Sequence, residues 1–173
     1  MEINTIEDCF RLRLLRKVNP DKEKAKRSIE LSEENLLEAQ NLIKSGIMKY
    51  TIISSYMAMF HCARALLYLD GIQEKNHYAV FIYLREKYSK EISLHILNIF
   101  NVNRIDRHEA LYGFDFSHDK GDAEISISDS LSFIKELKKI IEKRMSGFGM
   151  FKEIGSFGEE DKAKGQFEKK KRF

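Results

Sequence analysis

The chain is poor in residues that break helices or cross-link chains. One Pro and nine Gly occur in 173 residues. With abundant Leu, Ile, Lys and Glu, this scarcity of breakers points to a helical protein. The two cysteines, Cys9 and Cys62, make no disulfide framework and no CxxC pair, so a reduced, cytosolic chain is expected. No run approaches the roughly 18 consecutive apolar residues of a membrane span. The longest apolar-rich stretch, Tyr50 to Leu69, is interrupted by Ser54, Ser55, His61 and Arg64, and no membrane association is expected. Residues Met1 to Cys9 carry Glu2, Glu7 and Asp8 and lack the basic start and apolar core of a signal peptide. Charge of one sign is scarce as well. Thirty Lys and Arg stand against 27 Asp and Glu, a net of +3. Interleaved signs on a chain that is 43% hydrophobic argue against a disordered polyelectrolyte and against a dedicated DNA binder with a phosphate track. The nucleophile-elbow, P-loop and dinucleotide-binding motifs are absent, as are the EF-hand and HExxH metal motifs.

What is present is helical periodicity. Ile6, Phe10 and Leu14 mark a short first helix that ends at Asn19-Pro20-Asp21, where Asn19 caps the next. Ala25, Ile29, Ser32, Leu36, Ala39 and Ile43 give a narrow seam on a second helix from Pro20 to about Ser45, closed by Gly46. The third, Ile47 to Leu69, is apolar nearly all round and therefore central; Asp70-Gly71 ends it. A fourth runs from near Asn76 to about Tyr88. Ser89 opens a fifth carrying Ile92, Ile96, Ile99, Asn103 and Ala110. Tyr112 to Glu124 is polar, contains Gly113 and Gly121, and reads as a loop. Ser126 to Asp129 has the spacing of a capping box and opens a sixth helix, bearing Leu131, Ile134, Leu137 and Ile141 and ending near Met145. No strand-like alternation competes. The expected fold is all-α: an up-and-down bundle of four to five main helices with a short N-terminal helix, spanning residues 1–145. Residues 146–173, Gly-rich and ending Lys169-Lys-Lys-Arg172, read as a flexible or loosely docked C-terminal tail.

Four groups of residues carry candidate chemistry. His61 and Arg64 lie one turn apart on the central helix, and a buried Arg needs a carboxylate or several carbonyls; the plainer reading, an internal polar network, is favoured over a site. His77 stands at a helix start, where a packing role is favoured over a ligand contact at the dipole-positive end. Arg104, Arg107 and His108 place two fixed positive charges and a titratable ring within about one turn, suited to holding a phosphate; a solvated face with local ion pairs fits the residue types equally well. Asp115, His118, Asp119, Asp122 and Glu124 crowd a short segment but lack metal-site spacing, so ordinary helix capping is favoured. No metal and no cofactor is expected.

Ser55-Tyr-Met-Ala-Met-Phe-His-Cys-Ala-Arg-Ala-Leu-Leu67 resembles the YYAMFHAARALL signature of small prokaryotic HEPN-superfamily proteins. His77 matches the His that commonly follows that helix, and Arg107-His-Glu-Ala-Leu-Tyr112 looks like their RxxADY motif. The resemblance spans roughly Pro20 to Met145. It implies a helical bundle, a homodimer, and a partner in the form of a small nucleotidyltransferase within a toxin–antitoxin pair. For other members it implies metal-independent ribonuclease activity through an Arg-x(4–6)-His motif. This chain departs from that motif. Arg104 to His108 leaves three residues between, Arg107 to His118 leaves ten, and Leu111 replaces the acidic residue. Three functions are therefore carried forward. The leading one is a HEPN-like binding module with Arg64, His77, Arg104, Arg107, His108 and Tyr112 as nucleotide or RNA contacts. The second is a ribonuclease toxin using Arg104, Arg107 and His108, and the third is a structural helical dimer without ligand.

Overall fold

The structure is a computed structural model and describes residues 3–113 and 118–145. The expected tail, 146–173, and Asp115 lie outside the described residues. Helix α1 spans Ile6–Arg11, followed by strand β1, Leu15–Lys17; helices α2, Lys22–Lys44, and α3, Met48–Leu69; strand β2, Ile72–Glu74; and helices α4, His77–Lys87, α5, Leu94–Tyr112, and α6, Lys120–Arg144. The all-α bundle is present, with five main helices after a short first one.

Helix α3 is the hub. It packs against α2, α4, α5 and α6, and Tyr56, Ala58, Met59, Ala63, Ala65, Leu66 and Leu67 on it have no exposed surface. By length and composition α3 is apolar enough to cross a bilayer, but most of its most apolar stretch is buried inside this fold. Small residues let the neighbours approach closely. Ser32 of α2 donates to the Ala58 carbonyl at 2.7 Å, and Ser130 of α6 donates to the Ser55 carbonyl at 3.0 Å.

Several boundaries differ from the periodicity reading, each for a local reason. Helix α1 stops at Arg11 because Arg13 takes φ +55°, which turns the chain so that Leu14 and Leu15 enter the core from an extended segment. Asp21, not Asn19, caps α2, accepting from the Lys24 N–H at 2.9 Å. Ser93, not Ser89, caps α5. Helix α6 starts two turns earlier than expected, capped by a reciprocal box between Asp119 and Asp122. Ser126 lies inside that helix, buried, and donates to Asn103 at 2.8 Å.

The two strands were not expected. They pair antiparallel, with Leu15 opposite Glu74 and Lys17 opposite Ile72. This ribbon ties the N-terminal segment across the α3–α4 connection. The Val18 N–H reaches the Gly71 carbonyl at 2.8 Å, and the Lys75 N–H reaches the Leu14 carbonyl, also at 2.8 Å. Gly71 holds φ +69°, and a Cβ there would sit 2.6 Å from the Val18 carbonyl oxygen, so glycine is required at this turn. The ribbon thereby fixes Glu74 and the start of α4, where His77 stands.

Candidate functional site

Arg64 is the first constituent. On the central helix its Nε meets Glu74 Oε1 of β2 at 2.7 Å, with the Glu74 side chain 7% exposed, and its Nη2 donates to the Tyr68 hydroxyl at 2.6 Å. Burial pushes the Glu74 carboxyl upward while Arg64 opposes that shift. The favoured internal network is thus what Arg64 makes. Its guanidinium also lies 5.6 Å from the Phe60 ring centre and 5.4 Å from that of Tyr68, a cation–π arrangement.

His77 is the first residue of α4, positioned because Asn76 caps the helix by accepting from the Tyr78 and Ala79 N–H groups at 2.8 and 3.2 Å. Its ring stacks on Phe60 with centres 3.9 Å apart and planes 3° apart. Its Nδ1 lies 2.9 Å from the Tyr56 hydroxyl. Burial and the fields of Arg107, Arg64, Arg104 and His61 bring its pKa down to about 4, so the ring is neutral at pH 7. A neutral ring whose Nδ1 accepts from Tyr56 carries its proton on Nε2 and presents a donor there. His61, also brought down to about 4 by burial and Arg64, has a buried Nδ1 without a hydrogen-bond partner among the described residues.

Helix α5 supplies the remaining cations. Its inward face carries Phe100, Asn103 and Ala110, all buried. Phe100 stacks between Tyr56, at 5.6 Å, and Phe133, at 4.8 Å. Asn103 locks the helix to α6 by donating to Asp129 at 2.8 Å while accepting from Ser126. Arg104 and Arg107 flank this face and both act on Tyr56 and His77. Arg104 donates from Nε to Asn101 Oδ1 at 3.1 Å and lies over the Tyr78 ring at 4.9 Å. Arg107 has a buried Nε with no hydrogen-bond partner among the described residues.

The structure therefore gathers Arg64, His77, Arg104 and Arg107, four of the residues singled out in the sequence. His108 and Tyr112, farther along α5, are exposed. His108 is 60% exposed and sits 3.8 Å from Glu109, with its ring 5.1 Å from that of Tyr112. A helix turns 100° per residue, so His108 follows Arg107 on a more exposed side of α5, one turn beyond Arg104. Sequence reasoning passed over Tyr56, Phe60, Tyr78 and Glu74, which orient His77 and Arg64. Tyr56 and Phe60 lie within the quoted signature, but their spacing also fits plain core packing. Asp106, on α5 as well, turns to α6, where its carboxyl is raised by burial and feels His118, Asp122 and Asp129. No group of three His, Cys, Asp or Glu able to hold a metal ion occurs among the described residues. Two grooves lie elsewhere among the described residues. One, of about 490 Å³, runs between α2 and α6 past Ile43, Lys44, Lys120 and Leu131; the other, of about 420 Å³, follows α2 past Glu34, Leu37 and Glu38.

A family model for the HEPN domain matches residues 25–141. A Pyrococcus horikoshii protein named "UPF0332 protein PH1297" is 27% identical over 120 residues, which cover 69% of this chain and 75% of that one. Two Methanocaldococcus jannaschii proteins are also similar. "Putative toxin MJ0605" is 27% identical over 66% of this chain and 87% of its own length. "Putative toxin MJ0142" is 25% identical over 69% of this chain and 83% of its own.

Proposed function

This chain belongs to the HEPN domain family, and we propose that it is a cytoplasmic binding module of that family. In this reading it partners a small nucleotidyltransferase in a toxin–antitoxin pair and presents the α3–α4–α5 cluster to a nucleotide or RNA phosphate. One observation carries the binding half of the reading. Arg104 and Arg107 both lie close enough to neutral His77 for their fields to act on it, and among the described residues no carboxylate is paired with either. Guanidinium pairs of this kind hold phosphate oxygens through charge-assisted hydrogen bonds. General acid–base cleavage would need a proton-transfer group near neutral pKa beside the scissile phosphate. His77 is held at about 4 and engaged by Tyr56, and His108 is exposed beside Glu109. Binding without cleavage is what such an arrangement supports.

The partner half rests on the resemblance of the Ser55–Leu67 and Arg107–Tyr112 motifs to HEPN proteins that act beside a nucleotidyltransferase. A homodimer belongs to the same proposal and draws support from α5. Leu94, Val102, Ile105 and Tyr112 are all exposed along its outer side, an apolar stripe that a second copy would cover. The alternative of a ribonuclease toxin draws support, for its toxin part alone, from the names of the two Methanocaldococcus relatives. Co-expression with a neighbouring nucleotidyltransferase, followed by incubation of the purified material with bulk RNA without added metal, tests the choice. Co-purification with intact RNA is expected. Cleavage by the wild type that disappears in His108→Ala would replace the binding reading with the toxin reading. Neither co-purification nor cleavage would leave a helical dimer without ligand.

A further inference from the structure

The donors around His77 select more than an anion in general. Arg64 is neutralised by Glu74 at 2.7 Å, so it adds little net charge. Among the described residues Arg104 contacts neutral groups, Asn101 and the Tyr78 ring, and Arg107 Nε has no partner. Two guanidiniums one turn apart on α5 are thus without a carboxylate partner among the described residues. Of the described carboxylates, Asp106 feels the His118–Asp122–Asp129 side of α6, Glu109 lies beside His108, and Glu34 pairs with Arg27 at 2.9 Å.

The uncharged groups point the same way. Asn76 occupies the Tyr78 and Ala79 N–H groups, and His77 stands at the positive end of the α4 dipole. Assigning the Tyr56 hydroxyl as the donor to His77 Nδ1, 2.9 Å away, leaves Nε2–H as a donor. Arg104, Arg107 and His77 thus offer donors alone. A phosphodiester inside a strand has one negative charge, two free oxygens, and carbon substituents on both remaining oxygens. A phosphomonoester near neutral pH carries close to two charges on three free oxygens. Two guanidiniums without a carboxylate partner among the described residues, together with one imidazole N–H, match the second set in both charge and number.

We propose that the cluster of Arg104, Arg107 and His77 binds a phosphomonoester, as the terminal phosphate of an RNA or of a free mononucleotide, in preference to an internal phosphodiester. This rests on the phosphate-binding reading of the same cluster. The test measures binding of the full chain to one short single-stranded RNA prepared with a 5′-phosphate, with a 3′-phosphate and with hydroxyl ends, and to AMP. A phosphorylated form is expected to bind at least about tenfold tighter than the hydroxyl form, as expected when a second charge faces two cations across a partly desolvated surface. Arg107→Gln is expected to remove that preference while circular dichroism stays unchanged, and Arg104→Gln serves as an independent second variant. AMP competing at the affinity of the phosphorylated RNA would assign a free nucleotide; preference confined to one RNA end would assign that end. Equal affinity for phosphorylated and hydroxyl RNA, abolished in Arg107→Gln, would overturn this inference while leaving the phosphate-binding reading intact. Binding of none of these ligands would overturn both.

Discussion

His77 and His61 show how an environment sets a side chain's role. Each has its pKa brought from an ordinary 6.5 down to about 4 by burial, His77 with the help of three arginines and His61 with that of Arg64. As pH falls, the unfolded chain takes up these protons first. Their contribution to stability is therefore complete above about pH 6.5 and is lost between 6.5 and 4, at no more than about 1.4 kcal/mol per pH unit for each histidine. A thermal melting series from pH 7 to 4.5 is expected to show a falling midpoint, with a shallower fall in His77→Gln. A slope that this variant leaves unchanged would mean His77 is not held neutral. At this scale the sequence was legible for residue types and partly for their grouping. The pairing of Arg104 with Arg107 was readable from the i, i+3 spacing. The outward position of His108 was not, because Arg, His, Asp and Glu crowd that turn and give no sign of which side faces inward until Phe100 and Asn103 are seen packed.

Elements were legible where the apolar period was long, and their ends were not. Helices α2, α3 and α4 follow their periodicity closely. Strands of three residues carry no readable period, so β1 and β2 escaped notice. The start of α6 was concealed because its first turns bury only Ala123 and Ser126, small residues that add no apolar signal. The reciprocal Asp119–Asp122 box, with both contacts near 3 Å, sets that start; Asp119→Ala is expected to lower stability by about 1 kcal/mol in denaturant titration. The ribbon is more demanding. Gly71→Ala would place a methyl 2.6 Å from the Val18 carbonyl at φ +69°, a strain costing on the order of 1–3 kcal/mol. At roughly 2–4 °C per kcal/mol for a chain of this length, a loss of several degrees in melting midpoint is expected. An unchanged midpoint would show that the ribbon does not hold the α3–α4 connection.

The whole molecule joins two demands on α5. Its inner side closes the core through Phe100 and Asn103, and its flank presents Arg104 and Arg107 to His77. Its outer side leaves Leu94, Val102, Ile105 and Tyr112 exposed. Sedimentation equilibrium at micromolar concentration is expected to give a homodimer, and Ile105→Glu on the exposed stripe is expected to give a monomer that still binds phosphate. A strict monomer in the wild type would show that the stripe serves something other than a second copy. The bundle itself was readable from composition and from the near-continuous apolar surface of α3; the cluster was not, because it depends on His77 stacking on Phe60 and Arg104 reaching over Tyr78.

The central claim is that Arg104 and Arg107 act together as a phosphate-binding pair that does not cleave. Fluorescence anisotropy of a labelled short RNA, with the integrity of that RNA read in the same sample, tests it most directly. Saturable binding by the wild type is predicted, weakened at least about tenfold in the Arg104→Gln, Arg107→Gln double variant, as loss of charge-assisted contacts requires, with the RNA intact throughout. Equal binding by wild type and double variant, or RNA cut by the wild type, would contradict it.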